Sequence, residues 1–561
     1  MLRAEDLLIA ISVIACGASG LCYAKNKGDK VCRDRAYRLW RLGMIGIGTA
    51  FMLMLCYLVN HYFSFKYVYE HTNLELPFIY CISALWAGKE GSFLLWGFIL
   101  VLMGYMVLNI SYVKDLKHQR TFPVYAGITV AILTMSFVVR PFKVLNAIPA
   151  DGKGLSKALQ DPWMVVHPPL VFIGYTAMAI VFALGMNRLE GGDYEEVIKN
   201  WARKSMLFLG LGIMTGSVWA YRALGWGGYW AWDPIENIAL VPWLLLCAYS
   251  HINKNKLAKQ NGDFRSFSNE KGKNINWTRD KCILPFIIAA FGTFLVRSGL
   301  LANASVHAYV GEMARGRFII LGIFVVCIIG IIGVRGFRQL KKQKGQGLTR
   351  RTLDYIACFR VMTCIYAYAI LIGTICPLFI KVQVPMHFYN RLTIGYVIVN
   401  GLLILGIERQ KIGKKLSVVL VLGAVISVAM ARYFDYRSVG LTLVLWIVLI
   451  PLLGYILTGL KGRNRYYYWT HLLLLVMLVG GITSAGMGGK FMKAAEEQAP
   501  MSIFSRMLED RVIEQPKGTN LHEKDSIIIY TTKPLISLFW IGSFGLLGVM
   551  VIENARRGES K

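Results

Sequence analysis

"LLIAISVIACGASGLCY", residues 7–23, carries no charged side chain. At about 1.5 Å of rise per helical residue, a run of this kind approaches the roughly 30 Å hydrocarbon core of a bilayer. The same pattern recurs along the chain, for example "FIILGIFVVCIIGIIGV" at 318–334 and "YAYAILIGTICPLFI" at 366–380. The 561 residues are 55% hydrophobic, with a mean hydropathy of +0.49. A transmembrane barrel would instead show short alternating segments. The fold class is therefore an all-α polytopic integral membrane protein. Glu5 and Asp6 precede the first run and no small-residue cleavage site follows it, so it reads as the first spanning helix rather than a cleaved leader.

Fifteen spans are predicted, near 6–24, 41–60, 81–112, 122–140, 164–186, 204–222, 239–256, 281–298, 316–335, 360–380, 391–408, 416–433, 438–460, 467–487 and 533–552. The third reads as one long helix with a re-entrant lead-in at "ALWAGKEGS". Basic loops alternate with loops poorer in Lys and Arg: "KNKGDKVCRDR" at 25–35, the segment 252–280, "RGFRQLKKQKGQGLTRR" at 335–351 and "KGRNR" at 461–465. With the basic loops in the cytoplasm, the N-terminus lies outside and the tail "ENARRGESK" inside, which an odd number of spans requires. The predicted organisation is N-terminal helices over 1–80, a core membrane domain over 81–310, a C-terminal helical bundle over 311–487, a small external segment over 488–532 with a strand at "SIIIYTT", and a last helix with its tail over 533–561.

The formal charge of +30 would suggest nucleic acid in a soluble chain. Here the excess sits between apolar runs, so it reads as the positive-inside bias, and nucleic-acid binding is excluded. The eleven cysteines are scattered, with no CxxC and no CxxCH. They form no thiol-redox pair, zinc site or covalent heme attachment, and read as small buried hydrophobes.

Topology sorts four of the nine histidines into pairs. His251 closes the seventh span and His471 opens the fourteenth, both near the inner interface. Two imidazoles at matched depth on two helices suit a bis-histidine heme. Satisfied interfacial histidines would look the same. His167, in "DPWMVVHPPL", and His307, in "ANASVHAY", fall on the outer side. His61, His71, His118, His387 and His522 read as ordinary polar surface groups.

The outer side also holds "GWGGYWAWDPIENIALVPW" at 225–243, with four of the fourteen tryptophans. Its glycines allow close backbone approach to a ligand. Trp226, Tyr229, Trp230 and Trp232 supply flat apolar surface. Asp233, Pro234 and Glu236 predict a helix start with Asp at the N-cap, Pro at the first position and Glu at the third. An interfacial aromatic belt is the plainer reading, but a belt needs neither "GWGG" nor "WDPIEN".

"WGGYWAWDPIEN" closely resembles the WWD signature of the heme-handling proteins of cytochrome c biogenesis. Within that superfamily the chain is similar to the cytochrome c maturation protein F family, CcmF, and its nitrite-reductase-specific relatives. "ALWAGKEGSFLLW" at 84–96, "GKGLSKALQDPWMVVHPPLVFIGY" at 152–175 and "FGTFLVRSGLLANASVHAY" at 291–309 carry the resemblance further. It is specific from about 80 to 310 and looser beyond. Lys89 departs from the pattern of many members, and the last outer segment looks shorter than theirs.

The resemblance implies a heme lyase of the cytoplasmic membrane, working at its outer face. His167 and His307 correspond to the external pair holding the substrate heme iron. Trp226, Trp230, Trp232 and Asp233 correspond to the WWD surface that presents the vinyl edge. His251 and His471 correspond to the ligands of a resident heme b. The implied partners are a heme chaperone of the CcmE type, apocytochrome c, thioreductase subunits of the CcmH and CcmI type, and quinol as electron donor. Arg222 and Arg297, at outer helix ends, suit the heme propionates, because guanidinium binds carboxylate in a bidentate way. Arginines there also snorkel. Two other classes stay open: an exporter of heme, which would place its distinctive residues at the midplane, and a quinol-linked b-type electron carrier, which would need only the inner histidines.

Overall fold

The computed structural model describes residues 3–25, 30–113, 121–186, 192–223, 228–251, 282–293, 295, 355–377, 384–433, 438–459, 465–486, 490–494, 511–514, 527–532 and 535–559. Among these, eleven helices are long and apolar enough to cross a membrane. The chain divides into two compact units. The first comprises 1–213, 233–350 and 367–383, the second 214–232, 351–366 and 384–561.

In the first unit, α1 (Ala4–Lys25) packs on α2 (Lys30–Val59) and on α6 (Thr121–Val139). Two short helices follow α2: α3 (Lys66–His71) and α4 (Phe78–Ser83). Next comes α5 (Lys89–Val113), packed against α2 and α6. Polar tips on long aromatic side chains lock the three helices. The buried Trp40 indole donates to the Val101 carbonyl at 3.0 Å, and the Tyr125 hydroxyl to the Leu100 carbonyl at 2.8 Å. Away from water such groups must find partners within the bundle. The predicted run 81–112 therefore divides. The "ALW" of the lead-in is a single 3-10 turn, Ala84–Trp86, and the spanning helix begins at Lys89.

The break has a cause. The Tyr67 hydroxyl on α3 lies 2.9 Å from the carbonyls of Ala84 and Leu85 and accepts the Gly88 amide at 3.0 Å. One phenol thus satisfies the backbone where helical bonding lapses.

The first unit also holds α7 (Pro162–Met186), α8 (Gly192–Ala223) as far as residue 213, α9 (Pro234–Ser250) and α10 (Cys282–Thr293). α9 and α10 are apolar but shorter than a full span. α7 and α8 approach closely: a methyl at Gly174 would press on the Leu209 backbone. The buried Ser205 hydroxyl donates to the Gly174 carbonyl at 2.9 Å. The spans predicted at 6–24, 122–140 and 164–186 match α1, α6 and α7, and 204–222 lies within α8. The span at 316–335 lies outside the described residues.

α11 (Tyr355–Ile375) begins in the second unit. α12 (Met386–Ile412), α13 (Leu416–Tyr433), α14 (Val439–Thr458), α15 (Arg465–Gly486) and α16 (Ile536–Glu559) follow. α14 packs against α12, α13 and α15, and α15 against α16. Val397, Leu445, Val448, Tyr455 and Leu475 form the core between them. Gly480 allows the α15–α16 contact, since a methyl there would meet the backbone at Phe539.

Among the described residues, the segment 488–532 contains three strands: β1 (Lys490–Ala494), β2 (Arg511–Glu514) and β3 (Ile527–Thr532). They form an antiparallel sheet in the order β1-β3-β2. The strand predicted at "SIIIYTT" is the central one, its Ile529 opposite both Met492 and Glu514.

Candidate functional site

Two Asp-Pro dipeptides start the helices around the site. Asp161 precedes Pro162 of α7, and its carboxylate accepts the Trp163 amide at 2.9 Å. Asp233 precedes Pro234 of α9, and its carboxylate accepts the Ile235 amide at 2.9 Å, while Glu236 accepts the Asp233 amide at 3.1 Å. This is the predicted capping box, and α9 runs from it as one helix. Asp233 is buried. Its structural work is to end the tryptophan loop and begin α9.

His167 lies in the second turn of α7, immediately before Pro168 and Pro169. Its Nδ1 is 2.7 Å from the Gly212 carbonyl on α8. A carbonyl only accepts, so Nδ1 carries the proton, and in the neutral ring the lone pair falls on Nε2. The prolines have a second consequence. Pro168 has no N–H, so the Met164 carbonyl loses its helical donor. The Trp86 indole supplies one at 3.0 Å. The "ALW" turn and the "HPPL" helix are thereby joined at Met164, in the first turn of α7.

His251 is the C-cap residue of α9, and its Nδ1 is 2.8 Å from the Cys247 carbonyl. His471 sits in the second turn of α15, with Nδ1 2.8 Å from the Tyr467 carbonyl. The Tyr467 and Tyr455 rings lie beside it, at centroid distances of 4.0 Å and 6.4 Å. Both rings have the tautomer seen at His167. His251 and His471 belong to different units.

The described part of the tryptophan loop in the second unit is an aromatic assembly. Tyr229 stacks on Phe539 at 4.4 Å and meets Trp540 edge-on at 6.1 Å. Burial pushes the Tyr229 phenol up to about 12, so it stays neutral. Trp230 and Trp232 meet edge to face at 5.9 Å. The Trp230 indole N–H is buried with no acceptor among the described residues. Trp232 stacks on Tyr389 at 5.3 Å. Its indole donates to Asn390 Oδ1 at 2.8 Å. Arg222 lies in the last turn of α8. Trp226, Arg297 and His307 lie outside the described residues, as do His118 and His522.

The reading of His71 as a surface group is corrected. The ring is half-buried, stacks on Tyr67 at 4.2 Å and bonds the Tyr67 carbonyl through Nδ1 at 2.8 Å. Burial pushes its imidazole below the ordinary value of 6.5. Sequence reasoning also missed Trp86, Tyr67, Tyr389, Asn390 and Phe539. Proline's missing donor at "HPPL" was the signal that pointed to a partner such as Trp86. The others had none, since their partners are remote in sequence.

The fold and these sites together define a multi-pass membrane protein with an outsized aromatic loop and tautomer-fixed histidines near helix ends. Residues 86–301 match the family described as Cytochrome C assembly protein. The cytochrome c-type biogenesis protein CcmF of Escherichia coli (strain K12) is 30% identical over 478 residues, covering 79% of this chain and 71% of the relative. The CcmF of Pseudomonas aeruginosa is 32% identical over 464 residues, covering 75% and 68%. The cytochrome c-type biogenesis protein NrfE of Haemophilus influenzae is 35% identical over 274 residues, covering 47% of this chain and 40% of the relative. A solved structure titled Cytochrome c Heme Lyase CcmF aligns with a TM-score of 0.68 at 19% identity, covering 98% of each chain, and so shows the fold. The chain belongs to the CcmF family of cytochrome c-type biogenesis proteins.

Proposed function

We propose that this chain is a cytochrome c heme lyase, joining the two vinyl groups of heme to the CxxCH thiols of apocytochrome c at the outer face of a prokaryotic cytoplasmic membrane. Each thiol adds S–H across a vinyl C=C bond, so no atom is lost and no leaving group is needed. The substrate iron is held by His167 and His307. The ring lies on the loop of Trp226, Trp230 and Trp232. Asp233 contributes by fixing the loop's end, and Arg222 and Arg297 pair with the propionates.

The observation that carries the reading is the common tautomer of His167, His251 and His471. Each donates from Nδ1 to a backbone carbonyl, the arrangement that directs an Nε2 lone pair at a metal. The buried Trp230 N–H, with no acceptor among the described residues, suits a carboxylate of the substrate. Membership of the CcmF family agrees with both.

The chain's contribution to the chemistry is placement. Holding a vinyl group and a thiol in a reactive geometry is worth ~7–11 kcal/mol in ideal cases. His251 and His471 have the donor type and tautomer that would hold a resident heme b. That group, when bound, would supply an electron to keep the substrate heme ferrous, with quinol as donor. Heme would be delivered by a chaperone of the CcmE type, and reduced apocytochrome by subunits of the CcmH and CcmI type.

The test is a pyridine hemochrome spectrum of the purified protein beside His251→Ala and His471→Ala. A b-type heme that is lost in both variants supports the resident site, and its retention in both removes it. Replacing Trp230 and Trp232 together must abolish covalent cytochrome c formation while leaving heme b in place. An exporter or a plain electron carrier would not show that combination.

A further inference from the structure

Trp232 has a φ of +58°. A bulky side chain in the left-handed region is an outlier, disfavoured by about tenfold or more, and it persists only where surrounding structure over-determines it.

What holds Trp232 comes from 158 residues away, at the start of α12. The Asn390 side-chain oxygen accepts the Trp232 indole N–H at 2.8 Å. The indole can only donate, so the amide is oriented with its oxygen toward the ring. Tyr389, 4% exposed, lies against the ring at 5.3 Å and 13° from parallel. A hydrogen bond in the ring plane and a stack on its face together fix both tilt and rotation. Trp230, edge to face with Trp232, takes its orientation from the same support.

We propose that Asn390 and Tyr389 are positioning residues for the tryptophan loop, holding Trp232 in its left-handed backbone so that the loop presents one preformed aromatic surface to the substrate heme. This rests on the heme-lyase reading above. A site tolerates little displacement of the surface that orients its substrate, and rigid helices place such groups better than loops do. The first turns of α12 therefore belong to the site, although no motif marks them.

The test uses the full chain in detergent with His251→Ala and His471→Ala, so that added hemin reports the outer site. Hemin is titrated by its Soret band in this background and with Asn390→Leu or Asn390→Asp added. In parallel, the indole N–H band is recorded without hemin by ultraviolet resonance Raman. Asn390→Leu is expected to weaken hemin about tenfold, the weight of one lost hydrogen bond, and to shift the indole band toward an unbonded N–H. Asn390→Asp, which keeps an acceptor oxygen, is expected to restore both. Parent-like affinity and an unchanged indole band in Asn390→Leu overturn the proposal. If the parent background binds no hemin, the heme reading fails instead, and the indole band alone then decides whether Asn390 holds Trp232.

Discussion

Trp86→Phe is the sharpest probe of how the site is built. The substitution keeps an aromatic ring in a place only 9% exposed but removes the N–H that serves the Met164 carbonyl. That carbonyl has no helical donor, because its partner position is Pro168. A partly buried acceptor left unserved costs about 1–2 kcal/mol, and the smaller ring adds about 1 kcal/mol of lost packing. The total expected destabilisation is therefore about 2–3 kcal/mol. The hydrogen-bond share can be isolated. Pro168→Ala restores an N–H at the position that helix geometry assigns to Met164. In that background Trp86→Phe should cost about 1 kcal/mol less than in the parent, a coupling that a double-mutant cycle resolves. Reversible unfolding by SDS titration in mixed micelles measures all four proteins. If Trp86→Phe costs the same in both backgrounds, the indole is not replacing proline's missing donor, and the link between the two motifs is wrong.

Other substitutions probe the remaining supports. Asp233→Ala should lose about 1–2 kcal/mol through the broken capping box, whereas Asp233→Asn, still a good N-cap, should stay within about 0.5 kcal/mol in the same titration. Tyr67→Phe should cost about 2 kcal/mol and speed amide exchange at Gly88, because one hydroxyl serves several backbone groups. An unprotected Gly88 amide in the parent would sink that account. His71 gives a pH signature. Its imidazole titrates below the unfolded value of 6.5 because burial disfavours the cation. The unfolded chain therefore takes up the proton first. Stability from this group is complete above about pH 6.5 and is lost as pH falls through the lower folded value. Comparing melts of the parent and His71→Phe across pH 7 to 5 should show a flatter profile in the variant, and parallel profiles would refute it.

Much of the fold is local physics and was legible in the chain. Hydrocarbon thickness sets how long an apolar helix must be, so runs such as 6–24 and 164–186 mark α1 and α7. The caps at Asp233 and the central strand at 527–532 follow from short-range rules as well. The division of the 81–112 run does not, because it depends on Tyr67 reaching across from α3. The histidines were found as residues, but their tautomers were not. The Gly212 carbonyl lies 45 positions from His167, and the Cys247 and Tyr467 carbonyls act through helix geometry.

The sequence by itself determined a polytopic membrane protein, where several of its apolar helices lie and which aromatic segment sets it apart. Only the tertiary structure decided what fixes Trp232 in that segment and what serves the Met164 carbonyl of α7. Trp86 meets Met164 across 78 positions and Asn390 meets Trp232 across 158. Apolar periodicity and capping rules reach only a few residues along the chain. A hydrogen bond between distant helices depends on how they pack, so its partners leave no regular spacing to read.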